Sequence, residues 1–148
     1  MIESIVTDRK QLSKKCKSCY FMDLEIMQNE LIIRDMIDTA KAADSCVGLA
    51  ANQIGSEKRI ILVKSGPEFM VLVNPVIFCR TGCILSREET CLSFPGKVFR
   101  VRRHRRIKVH FQKVTGRTEH MEFYEDYARI VQHEIDHLNG KLMKGEIQ

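Results

Sequence analysis

The residues with the clearest chemical potential lie together in Gln132-His133-Glu134-Ile135-Asp136-His137-Leu138-Asn139-Gly140. On a helix, His133 and His137 stand four positions apart and project from one face, close enough to hold one metal ion. Glu134 then sits beside that ion, placed to take a proton from a water molecule. The same His-Glu-x-x-His pattern occurs in helices whose histidines serve packing alone, so a third ligand decides between the two. A catalytic site of this kind needs three protein ligands and an open position. Met143 stands where the extended metallopeptidase motif has its third histidine, and Glu146 follows too closely to come from a later helix. The third ligand is therefore expected upstream.

The elements that must position these residues follow from periodicity. Tyr127, Ile130, Val131, Ile135 and Leu138 form an apolar stripe, with Asp126 as the expected N-cap and Gly140 as the stop. A second helix is predicted from Asp23 to Ala43, with Leu24, Met27, Leu31, Met36 and Ile37 recurring at helical spacing. Residues 46–55 are rich in small side chains, which let backbones approach closely. Strands are predicted over Arg59–Lys64, Met70–Asn74, Val76–Cys79 and Cys83–Ser86, with breaks at Pro75 and Gly82. Further strands are predicted over Val98–Val101, Ile107–Gln112 and Glu119–Tyr124, and a loop over Arg87–Gly96 carries Cys91 at its centre. The expected fold class is α+β: an N-terminal helix, antiparallel β-sheets and a C-terminal metal-binding helix carrying His-Glu-x-x-His.

A chain of 148 residues is expected to form a single catalytic domain over residues 1–148. The first twenty residues lack the apolar block of an export signal, and no apolar run approaches the ~20 residues that span a bilayer. The expected location is the cytoplasm, where the six cysteines remain thiols. Cys16 and Cys19, and Cys79 and Cys83, are spaced like zinc-ligand pairs but lack a zinc ribbon's context, and no structural metal is assigned to them. The net charge of +5 is concentrated in the run Arg100–Lys108. Such a run is ordinarily a solvated strand face, and its functional alternative is a contact with RNA such as the ribosome.

Three stretches together resemble the peptide deformylases: Cys46 to Gln53, Glu89-Thr90-Cys91-Leu92-Ser93, and Gln132 to Gly140. Cys46 and Thr90 depart from the family pattern, each standing where it has glycine. The resemblance implies a deformylase fold, with release of formate from N-formylmethionyl nascent peptides in bacterial-type synthesis, by a monomer that needs no membrane. It implies Cys91, His133 and His137 as ligands of one divalent ion, Fe2+ first, with Ni2+, Co2+ or Zn2+ able to replace it. Glu134 is then the general base, and the Gln53 amide and the Leu92 N–H are donors to the oxyanion.

By the same resemblance, Val47, Gly48 and Leu49 border the substrate, with Tyr127 and Ile130 at the wall of its methionine pocket. Glu89, Arg103 and Asp136 are expected to orient the ligands from behind. Two other readings stay open on sequence: another metallopeptidase of the His-Glu-x-x-His type, and a paralogue that binds peptide or ribosome without catalysis.

Overall fold

The computed structural model describes residues 1–147, with the side chains of Cys83, Leu85 and Ser86 outside that description. Five strands form one antiparallel sheet in chain order: β1 (Gly48–Ala50), β2 (Ile60–Ser65), β3 (Glu68–Glu89), β4 (Phe99–Gln112) and β5 (Thr118–Tyr124). A short helix α1 (Arg9–Leu12) and a long one, α2 (Asp23–Ala42), precede the sheet. A 3-10 turn (Ala51–Ile54) follows β1, and α3 (Glu125–Leu138) closes the described fold.

Alternation along the strands divides the core into two layers. Ile61, Val63, Leu72, Ile107, Val109 and Phe123 face α3, where Ala128, Val131, Ile135 and Leu138 meet them. Ile60, Leu62 and Val73 point the other way and pack on Ile33, Met36 and Ala40 of α2. Helix α3, which carries His133 and His137, is thus fixed against the sheet, and β1, the edge strand, runs beside it.

Several sequence expectations are corrected. The segments predicted as separate strands over 70–86 form one strand, β3, which runs on to Glu89. Pro75 and Gly82 do not end it; each falls at a register shift of the β3–β4 ladder, where a bulge absorbs the missing donor or the unusual backbone. Asn74 (φ 50°) and Gly82 (φ 79°) supply those left-handed turns. Asn74 is held there by its side chain, which accepts from the Cys19 N–H and donates to the Cys19 and Gln112 oxygens. Likewise β4 is continuous through the basic run.

On α2, Leu24, Met27 and Leu31 are exposed. The buried face is Asn29, Ile33, Met36 and Ala40, spaced four, three and four apart. Asn29 tolerates burial because its amide donates to the Tyr20 carbonyl. At α3, Asp126 does not cap: the helix begins at Glu125, Tyr124 is the N-cap, and Asp126 accepts from Arg129 instead. Gly140 follows the helix end with φ 73°, as a stop residue should.

Candidate metal centre

Cys91 lies two residues beyond the end of β3, and His133 and His137 lie one turn apart on α3. One donor atom from each falls within 4.8 Å of the other two, the one such cluster among the described residues. Cys91 Sγ is 3.2 Å from His137 Nε2. Both histidines are buried, at 7% and 2% exposure, while Cys91 is half-buried and opens to solvent.

A chain of charge-assisted hydrogen bonds stands behind the ligands. His133 Nδ1–H donates to Glu89 Oε1 at 2.8 Å, which fixes the ring and leaves Nε2 for coordination. Arg103 donates twice to Glu89, at 3.1 and 3.0 Å, and a third time to Asp136. Burial alone would raise the Glu89 carboxyl, but the bonds from His133 and Arg103 bring it down to about 2. Burial opposes charge on His133, yet Glu134, Cys91 and Glu89 around it hold its imidazole well above the usual range. His137 is driven the other way, by burial and by the charge of His133. A thiolate with two imidazoles fits a single divalent ion of borderline softness.

Glu134 is 4% exposed, and burial pushes its carboxyl up to about 7, tempered by His133 and Arg103. A carboxyl poised there can both accept and return a proton near neutral pH. Gln53, from the 3-10 turn, is equally hidden: its Oε1 accepts from the Ala50 N–H at 2.9 Å. Its Nε2 donates to Ser93 Oγ at 3.1 Å and to Cys91 Sγ at 3.4 Å. The sequence gives no local reason to bury Gln53; the small residues beside it make the burial possible.

A cleft of about 450 Å³ opens over this centre. Its walls include Val47, Gly48, Gln53, Thr90, Leu92 and Ile130, together with Cys91, His133 and Glu134. Two positions expected there lie elsewhere. Leu49 is fully buried in the α2 layer, because the residue after Gly48 must face the opposite side of the strand. Tyr127 is exposed one turn before Ile130 and does not line the cleft.

Other residues that hold the centre were not singled out from sequence. The Gln132 amide accepts from the His104 N–H at 3.0 Å and donates to its carbonyl at 2.8 Å. It thereby occupies the place β5 would fill if it reached past Tyr124. The Asn52 amide donates to the His137 carbonyl at 2.7 Å, and Arg59 binds the Leu138 carbonyl and the Asn139 side chain. Gln132 and Asn52 lie within two of the three motif stretches and Arg59 opens the predicted strand Arg59–Lys64, which is the sequence signal they offer.

The basic run carries less available charge than its composition suggests. Arg103 is buried between Glu89 and Asp136, and Arg100, Arg105 and Arg106 pair with Glu88, Glu125 and Glu122.

The sequence pattern of the family described as polypeptide deformylase matches residues 2–148. The chain belongs to that family. It is 40% identical to the peptide deformylase of Dictyoglomus thermophilum over 132 residues, covering 89% of this chain and 83% of that protein. It is 39% identical to the peptide deformylase of Clostridium botulinum over 131 residues, covering 88% and 86%. The crystal structure of the Thermotoga maritima peptide deformylase superposes with a TM-score of 0.87 at 34% identity, covering 96% of this chain and 95% of that one. The class I type b peptide deformylase of Acinetobacter baumannii, in a Met-Ala-Ser-bound crystal structure, gives a TM-score of 0.86 at 30% identity, covering 96% and 97%. The chain is accordingly an enzyme of the deformylase type, and among its described residues Cys91, His133 and His137 form the one group that could hold a metal ion.

Proposed function

We propose that the chain hydrolyses the N-formyl group of N-formylmethionyl nascent peptides, releasing formate and a free amino terminus. The observation that carries this reading is the convergence of Cys91, His133 and His137 beside the buried Glu134 in a deformylase chain. A divalent ion held by those three residues would polarise the formyl carbonyl and acidify a water molecule; Fe2+ is the ion proposed, with Ni2+, Co2+ or Zn2+ as substitutes.

Glu134 takes a proton from the attacking water as its oxygen bonds to the formyl carbon. It then returns that proton to the amine nitrogen as the carbon–nitrogen bond breaks. The Leu92 N–H and the Gln53 Nε2 group, the latter by giving up its 3.4 Å contact with Cys91 Sγ, donate to the developing oxyanion, a contribution of about 100-fold or more per donor. The free edge of β1 at Val47 and Gly48 receives the peptide backbone, and Ile130 borders the methionine side chain. The Met-Ala-Ser bound by the Acinetobacter baumannii relative supports a peptide with an amino-terminal methionine as the occupant of this cleft. The enzyme is proposed to act as a monomer in the cytosol; among the described residues no helix is long and apolar enough to cross a membrane. Any contact with ribosomal RNA through residues 100–108 would rest on Arg102 and Lys108, since the other arginines there are engaged.

The test is formate release from N-formyl-Met-Ala-Ser by anaerobically prepared, metal-loaded protein, beside Glu134→Ala and the N-acetyl and unformylated peptides. Release confined to the formylated peptide and absent from the variant is expected. Cleavage of a peptide bond in the unformylated peptide would favour a peptidase instead.

A further inference from the structure

Gly48 touches the carboxylate assigned as general base. A Cβ built on Gly48 would lie 2.6 Å from Glu134 Oε2 and 3.2 Å from its Cδ, and 2.7 Å from Ile130 Cγ2. The two closest separations are shorter than carbon makes with any non-bonded neighbour. The backbone itself does not ask for glycine here: Gly48 is part of an extended strand and is not among the residues with positive φ. What excludes a side chain is the pair of α3 side chains facing it, Glu134 and Ile130.

Neither backbone is free to retreat. The Val47 carbonyl accepts from the Lys64 N–H at 2.8 Å, tying this edge to β2. The Cys46 thiol donates to the Gly48 carbonyl at 3.2 Å, so the residue that stands in place of a family glycine braces the strand at this point. On the other side α3 is packed into the core through Val131 and Ile135. Glu134 Oε1 is buried with no hydrogen-bond partner among the described residues, and Oε2 faces the bare Cα of Gly48.

We infer that Gly48 is a positioning residue for the reaction: the bare backbone at this point of β1 sets the location of the Glu134 carboxylate. The inference rests on Glu134 being the general base. A methyl group at position 48 forces the Glu134 side chain to another rotamer, and a displacement of ~1 Å at a reacting group costs on the order of 100-fold in rate. A residue that merely borders the substrate would behave differently, with its substitution acting on KM.

The experiment is Gly48→Ala in the full, metal-loaded chain, with kcat, KM and metal content per chain measured, and repeated in a Glu134→Asp background. The expected result is a fall in kcat of about 100-fold with metal content held, larger than any rise in KM from the cleft wall. In the Glu134→Asp background the carboxylate is one methylene further from Gly48 and only the Ile130 contact remains, so adding Gly48→Ala should cost clearly less than in the parent. A raised KM at unchanged kcat, or the same loss in both backgrounds, overturns the inference. If Gly48→Ala does not fold, Gly48→Ala with Ile130→Ala removes the second obstacle and is read by the same criteria. Absence of formate release from the parent protein would count against the deformylase reading alone. A crystal structure of Gly48→Ala would then still decide: a displaced Glu134 carboxylate supports the inference, and an undisplaced one with β1 or α3 shifted overturns it.

Discussion

Glu89 Oε1 lies 2.8 Å from His133 Nδ1, which joins the strand that delivers the thiol to the helix that delivers the imidazoles. Glu89 ends β3 and Cys91 follows two residues later, so one carboxylate both orients a ligand and anchors the segment carrying another. Arg103, buried at 8% exposure, holds that carboxylate in its bidentate grip.

Glu89→Gln should therefore weaken metal binding while leaving all three ligands in place. The expected loss is about 10–100-fold in affinity, the usual effect of removing a partner of a ligating histidine. Competition against a chromophoric chelator measures it. Unchanged affinity would mean that the contact does not orient His133.

Gln132→Ala should act on stability instead. It leaves the His104 N–H and carbonyl without the partner that replaces β5 there. Orphaning buried backbone groups costs about 1–3 kcal/mol each, less whatever water recovers. Denaturant unfolding of the metal-loaded protein reads the change.

Leu49 and Val47 separate packing from substrate contact within one strand. Leu49→Ala should cost about 2–5 kcal/mol of stability, because the side chain is fully buried against α2. Val47→Ala, at a position 51% exposed in the cleft wall, should leave stability within ~0.5 kcal/mol and raise KM.

Much of this was legible in the sequence, and the reasons are local. His133, Glu134 and His137 announce themselves because helical spacing places them on one face, and Cys91 because its neighbours match a family motif. Helix α2 and the strand β2 followed from periodicity and a short apolar run. The long strand β3 did not. Pro75 and Gly82 are turn residues in isolation, and only a partner strand that tolerates bulges, here β4, lets the chain pass through them. The buried face of α2 was misassigned because Asn29 and Thr39 lie on it, each satisfied by a backbone carbonyl, that of Tyr20 or Asp35, which composition does not reveal. Leu49 was expected to border the substrate by resemblance to the family's first motif, but alternation along a strand turns its side chain inward. The Gly48–Glu134 contact joins residues far apart in the chain, and no spacing within a single motif encodes it.

An ion held by Cys91, His133 and His137 would stabilise the fold as well as support turnover, so its removal should lower both. Free metal at 100 times its dissociation constant would contribute about 2.7 kcal/mol, so a chelator should lower Tm by several degrees for a chain of this size. Adding Ni2+ or Co2+ should restore it. In Cys91→Ser the chelator-dependent shift should shrink markedly.

The most direct test of the central claim is kcat for formate release by Glu134→Gln at matched metal content. The substitution keeps the side chain's shape and its contact with Gly48 while removing the proton acceptor. The predicted result is one metal per chain, KM near that of the parent, and kcat lower by about 100- to 10,000-fold. A fully metallated Glu134→Gln enzyme that turns over at the parent rate would contradict the account.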